Sequence, residues 1–148
     1  MYFEDYQIGQ QWTVAEFTIT ADEIHSFAER YDPLPLHTDD EFAAKSRFQG
    51  LIASGPLGFL SLWSHYQRQV TDFAEGLIAG IRSSSEYLKP IYAGDILRGQ
   101  VTVVSVKQRN PYNGAVIFDS EITNQDKQCV TRGKIEVCFE LREPRIIA

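Results

Sequence analysis

An α+β architecture with helix packed on antiparallel sheet is the fold class this sequence predicts, and three observations predict it. A segment from Pro56 to about Val70 has helical spacing and almost no polar face over its first two turns. Four long strand-like segments, separated by turn signals, follow it. One strand and a helical excursion precede it. Together these describe a curved sheet wrapped around a central helix.

The elements can be justified in order. Gln11 to Thr18 has the β-branched and aromatic content of a strand. Thr20-Ala-Asp-Glu23 then offers a capping box, so a helix should follow. Ile24, Phe27, Ala28 and Tyr31 recur at helical spacing and are expected to face inward. Pro33 ends that helix and leaves Asp32 at its C-terminal end. Asp40 to Ser46 reads as a short helix with Phe42 and Ala43 as buried positions.

Pro56 suits the first position of the next helix, with Gly55 as a permissive residue just before it. Leu57, Phe59, Leu60, Leu62, Trp63, Tyr66 and Val70 surround the axis. A helix apolar nearly all round is enclosed by membrane or by protein, and one this short is enclosed by protein. The strands are expected at Leu77–Leu88, Asp95–Lys107, Ala115–Thr123 and Lys127–Arg142. Asn113-Gly114 signals a hairpin between the second and third of them. In the last, Ile135, Val137, Phe139 and Leu141 alternate with polar residues, so one face is buried and the other wet. The parity change from Val101 and Val103 to Val104 and Val106 predicts a bulge.

Size and charge bound the function. The 148 residues, 43% of them hydrophobic, suit one domain spanning residues 1–148. Fourteen basic against twenty acidic residues leave a formal charge of −6 with no basic tract, which excludes nucleic acid as the expected partner. There is no apolar run long enough to cross a membrane and no signal-peptide layout at the start, so a cytoplasmic protein without a membrane partner is expected. Cys129 and Cys138 fall in the same expected strand, ~30 Å apart along it, and should be free thiols. No spacing resembles a zinc-ligand set.

The chemistry concentrates in Asp32-Pro-Leu-Pro35-Leu-His37-Thr-Asp39. Two prolines stiffen this loop and push Asp32 and Leu34 into extended conformations. A carboxylate and an imidazole can thereby be held towards one pocket. Taken singly, Asp32 could simply terminate a helix and His37 could be structural. Asp39 reads as a cap for the following short helix. His25 and His65 have no such frame and read as surface or satisfied core residues. Asp32, His37 and Asp39 lack the spacing of a metal site, so no metal is expected.

This loop resembles the signature of the MaoC-like dehydratases, the family that contains the (R)-specific enoyl-CoA hydratases, roughly Gly-Asp-x-Asn-Pro-x-His-x-Asp. Asp32, Pro35, His37 and Asp39 match it by position, and Ile52-Ala-Ser-Gly55 resembles the family's glycine turn into its central helix. Weaker echoes lie in Phe3-Glu-Asp-Tyr-Gln-Ile-Gly9 and in Tyr87-Leu-Lys-Pro90-Ile-Tyr-Ala-Gly-Asp95. Leu34 stands where the family has Asn, and Arg30-Tyr31 replaces small residues. The first departure predicts an altered acyl preference and makes Leu34 a candidate substrate contact.

The resemblance implies a hotdog fold, a homodimer or dimer of dimers with sheets joined edge to edge, and hydration of an enoyl thioester or its reverse. It also implies that Asp32 and His37 act as a dyad on one water. Imidazole exchanges protons near neutral pH, whereas Asp32 could position the water, share the proton or orient the ring. The backbone N–H of Gly55, at the start of the enclosed helix, is the candidate donor to the enolate oxygen. Ser61 or Ser64 could add a hydroxyl. Acyl-CoA or an acyl-carrier thioester would be substrate, with no other cofactor. Its phosphates require local cations, for which Lys45, Arg47, Arg82 and Lys89 are candidates. A hotdog thioesterase and a non-catalytic thioester-binding subunit are the alternatives.

Overall fold

A computed structural model describes residues 1–147 and shows how the strand and helix patterns resolve. After a 3-10 turn at Phe3–Asp5, the chain forms β1 (Gln11–Phe17), α1 (Ala21–Tyr31), α2 (Pro35–Thr38), α3 (Asp40–Lys45), α4 (Gly55–Gln69), β2 (Leu77–Tyr87), β3 (Leu97–Asn110), β4 (Asn113–Thr123) and β5 (Cys129–Glu140). The strands make one antiparallel sheet in the order β1-β3-β4-β5-β2. The predicted class, α+β, is the class observed.

Helix α4 packs on one face of that sheet. Phe59, Leu62 and Tyr66 share a buried cluster with Val101 and Val103 of β3, Phe118 of β4, and Val137 and Phe139 of β5. Two strand glycines set how close the helix comes. A Cβ on Gly99 would lie 1.9 Å from Leu62 Cδ1, and one on Gly133 would lie 2.2 Å from Phe59 Cε2. Interiors packed at crystal density cannot absorb such overlaps without moving an element. The expected bulge is present, as a register shift between Val103 and Ser105 opposite β4.

Several local expectations are corrected. The segment after Asp32 is not wholly extended: Pro35 starts a helical turn, because its fixed φ suits the first helical position and its missing N–H costs nothing there. Tyr31 is exposed and Phe27 only half-buried; they pack on each other with ring centroids 5.3 Å apart instead of facing the core. Phe42 is exposed while its neighbour Ala43 is buried. Enclosure of α4 is incomplete in the single chain, where Leu60 is 49% exposed. The hairpin turn is Pro111-Tyr112, closed by Asn110 opposite Asn113, and Asn113-Gly114 begins β4. Asn110 Oδ1 accepts the N–H groups of Tyr112 and Asn113, which places the turn two residues earlier. Strand β5 starts at Cys129, since Lys127 takes a positive φ of 59° in the preceding turn.

The two edges of the sheet differ. The outer edge of β1 is covered by the Gln69 side chain, which donates to Thr13 O (2.8 Å) and accepts from Ala15 N (3.2 Å). Strand β2 forms the opposite edge, and Leu77, Ile78 and Tyr87 along it are exposed.

Candidate active site

The acid and the imidazole come from opposite ends of a short Pro-framed segment. Asp32 caps the C-terminus of α1, its N–H bonded to Ala28 O. Leu34 N–H then donates to Asp32 O (2.8 Å), reversing the chain around Pro33, and His37 N–H donates to Leu34 O (2.9 Å) within α2. Asp39 stops α2 and caps α3 by accepting from Phe42 N (3.0 Å), as its position in the sequence suggested. His37 is buried, while the Asp32 side chain keeps 32% exposure.

The strip Ile52–Gly55 meets these two residues from the other side. It is held by Ala53 N–H on Ile91 O (2.8 Å) and by a β-bridge between Ile52 and Tyr92. His37 Nδ1 lies 2.7 Å from Ile52 O. A carbonyl only accepts, so Nδ1 carries a proton, and in the neutral ring the free lone pair is on Nε2. That Nε2 lies 3.5 Å from Asp32 Oδ2. Ser54 Oγ donates to the same Oδ2 at 2.7 Å. Two acceptors therefore face each other at a separation longer than a good direct hydrogen bond, an arrangement that suits a shared water or a shared proton.

Gly55 is the first residue of α4, and among the described residues its N–H has no acceptor. The positive end of a fifteen-residue helix stands behind it. Glycine is required there for a reason the sequence did not give. A Cβ would fall 2.5 Å from the Tyr87 ring, so the position is small to admit Tyr87, whose hydroxyl accepts from Ser85 Oγ at 2.8 Å.

His37 and Gly55 line a cleft of about 320 Å³. Phe48, Ile52, Ala53, Leu88, Pro90 and Ile91 make its apolar walls, with Tyr87, Lys89 and Thr131 at the polar positions. A larger depression of about 400 Å³ crosses the outer sheet face, away from the acid–base pair. Its charges satisfy one another, as in Lys134–Asp119 at 2.8 Å and Arg132–Glu121 at 3.3 Å.

Among the residues singled out from the sequence, Asp32, His37 and Gly55 converge. Leu34 does not: it is 53% exposed and lines no part of the cleft, because its place before Pro35 makes it the extended cap of α2. Lys89 is the one cation candidate on the cleft wall, whereas Lys45 pairs with Glu41 and Arg82 with Glu136. Ser61 and Ser64 do not line it. His25 bonds Asp40 and His65 stacks on Phe17. Ser54, Tyr87 and Thr131 were missed. The first two lie inside segments that carried the family resemblance, but nothing in their spacing assigned them a contact. Among the described residues no three His, Cys, Asp or Glu side chains are grouped to hold a metal, and no helix is long and apolar enough to cross a membrane.

Comparison with known proteins bears on the family and the fold. The family model described as MaoC like domain matches residues 5–125. A structure described as a monoamine oxidase regulatory protein from Archaeoglobus fulgidus superposes with a TM-score of 0.88 at 28% identity, covering 95% of this chain and 94% of that one. The MaoC-like dehydratase of Rhodospirillum rubrum gives a TM-score of 0.83 at 28% identity over 99% of both chains. The mesaconyl-CoA hydratase of Cereibacter sphaeroides is 28% identical over 135 residues, which are 87% of this chain but 38% of that protein. The sheet and α4 are those of the hotdog fold.

Proposed function

The chain belongs to the MaoC-like domain family, and from that premise we propose that it hydrates an enoyl thioester, or dehydrates the corresponding 3-hydroxyacyl thioester. The observation that carries the reading is the pair of lone-pair-bearing atoms, His37 Nε2 and Asp32 Oδ2, facing each other at 3.5 Å beside a cleft that Gly55 also lines. The mesaconyl-CoA hydratase among the relatives supports the same class of reaction.

Hydration proceeds as follows. A water held between Nε2 and Oδ2 gives one proton to Nε2, and its oxygen bonds to the β-carbon of the conjugated thioester. The π electrons move to the α-carbon and the thioester oxygen. The imidazolium returns its proton to the α-carbon as the enolate collapses. Gly55 N–H donates to the thioester oxygen while it carries charge, and one such donor is typically worth ~2.7–4 kcal/mol of barrier. No electron is gained or lost, so the reaction requires no redox cofactor. Lys89 is placed to meet the polar part of a CoA or carrier-bound thioester. The unprotected β2 edge, set against the covered edge of β1, favours a homodimer joined through β2.

A panel of enoyl-CoA esters, followed by loss of absorbance of the conjugated double bond, tests the proposal. Turnover of at least one member is expected, with Asp32→Asn slower by ~10²-fold or more. Release of free thiol without hydration would replace the reading by a thioesterase. Binding without turnover across the panel would replace it by a non-catalytic subunit.

A further inference from the structure

We propose that Ser54 is a positioning residue that sets the Asp32 carboxylate against His37; this rests on the hydratase reading for its kinetic consequences but not for its geometry. Ser54 is 1% exposed and occupies the cap position of α4. Serine at such a position ordinarily turns its oxygen back to accept an N–H of the first helical turn. Here its side chain makes no cap bond, and Leu57 N–H is taken by the Ser54 backbone carbonyl at 3.0 Å. The hydroxyl is diverted across 22 residues of chain to Asp32 Oδ2.

That oxygen is the one facing His37 Nε2. Among the described residues no other side chain donates to Asp32. Asp32 sits at a helix end, is partly exposed and has two rotatable side-chain bonds, so without Ser54 its carboxylate is free to turn to solvent. The Ser54 donor also divides the work within the dyad. Oδ2 accepts from Ser54 Oγ and keeps a further lone pair for water, while Nε2 keeps its lone pair for the proton. Removing the hydroxyl therefore loosens one arm of the dyad without touching the cleft wall, since Ser54 does not line it.

The test is a double-mutant cycle joined to a structure. Ser54→Ala should lower kcat by ~10²-fold, the loss expected for a misplacement of about 1 Å, with KM within about twofold of the parent. In an Asp32→Asn background the same change should cost less than ~3-fold, because Ser54 acts through Asp32. Multiplicative losses, or a KM rise that accounts for the whole effect, overturn the proposal. A crystal structure of Ser54→Ala gives a readout free of any activity: Asp32 should have rotated away from His37. An unchanged Asp32–His37 separation overturns it even if the protein turns over no enoyl thioester, and absence of turnover in the parent alone tells against the hydratase reading instead.

Discussion

Replacing His37 by asparagine separates the base from the anchor. The imidazole has two contacts on opposite ring atoms, Nδ1 on Ile52 O at 2.7 Å and Nε2 towards Asp32 at 3.5 Å. Asparagine places an amide N–H close to where Nδ1 stood and nothing where Nε2 stood. The Ile52 carbonyl keeps its donor and the proposed dyad loses its base. A positioned general base contributes ~10²–10⁴ in rate, or ~2.7–5.4 kcal/mol at 1.36 kcal/mol per decade. His37→Asn should lose that factor in kcat/KM while unfolding near the parent's midpoint. His37→Ala should lose the same activity and also ~1–3 kcal/mol of stability, the usual consequence of leaving a buried carbonyl unpaired. The assays are enoyl thioester hydration and urea unfolding of all three proteins. An asparagine variant retaining more than a tenth of parental kcat/KM would refute the assignment of Nε2 as base. Equal stabilities for Asn and Ala would refute the anchoring role of Ile52.

Three other perturbations test the frame around the site. Gly99→Ala drives a methyl to 1.9 Å from the buried Leu62; an overpacking cost of ~1–3 kcal/mol should lower Tm by roughly 2–10 °C in calorimetry, and an unchanged Tm would mean α4 packs less closely than described. The Arg142 guanidinium, bonded to Asp5 at 2.6 and 2.7 Å, holds that carboxyl below its ordinary value of 3.8. A depressed carboxylate stabilises the fold above its unfolded pKa and loses this as pH falls through the lower, folded value. Arg142→Ala should therefore be less stable than the parent at neutral pH, with the gap narrowing in urea titrations well below pH 3.8; a gap independent of pH would exclude the ion pair as its cause. Leu34→Asn restores the residue common in the family at a side chain 53% exposed and outside the cleft, so the ranking of acyl chain lengths should not move and kcat/KM should stay within about twofold. A changed ranking would place Leu34 in contact with substrate after all.

The sequence was most legible where periodicity and punctuation agreed. Thr20 and Glu23 announced α1, and the Thr20 hydroxyl accepts Glu23 N–H as a cap should. The valine parity change announced the bulge. Legibility failed where a residue's neighbours lie far along the chain. Tyr31 and Phe42 have helical spacing suited to burial, yet short helices lying outside the sheet cover only one stripe each, and Ile24, Ala28 and Ala43 fill those stripes. Gly55 was read as a permissive entry to the helix, whereas its missing side chain makes room for Tyr87, 32 residues later in the numbering. Periodicity carries no term for contacts of that kind. The proximity of Asp32 and His37 was visible because both sit within one Pro-framed segment; what contacts them was not, because it arrives from the next one.

That second segment shows how so small a site is kept in register. Ile52, Ser54 and Gly55 each supply one group: a carbonyl to His37 Nδ1, a hydroxyl to Asp32 Oδ2, and an N–H, unpaired among the described residues, at a residue lining the cleft. Alternation along an extended strip sends Ile52 and Ser54 contacts towards the acid–base pair, while Ala53 between them turns its N–H to Ile91 and fixes the strip to the segment beyond β2. His37, Asp32 and the Gly55 N–H are thus referenced to four consecutive residues instead of to three independent elements. A displacement of this strip disturbs both side chains at once, through the Ile52 carbonyl and the Ser54 hydroxyl. The burial of Ile52, Ala53 and Ser54 makes that movement costly, since extracting them would expose apolar surface and strand the carbonyls and N–H groups they pair. Precision within the site therefore follows from the continuity of one short length of backbone.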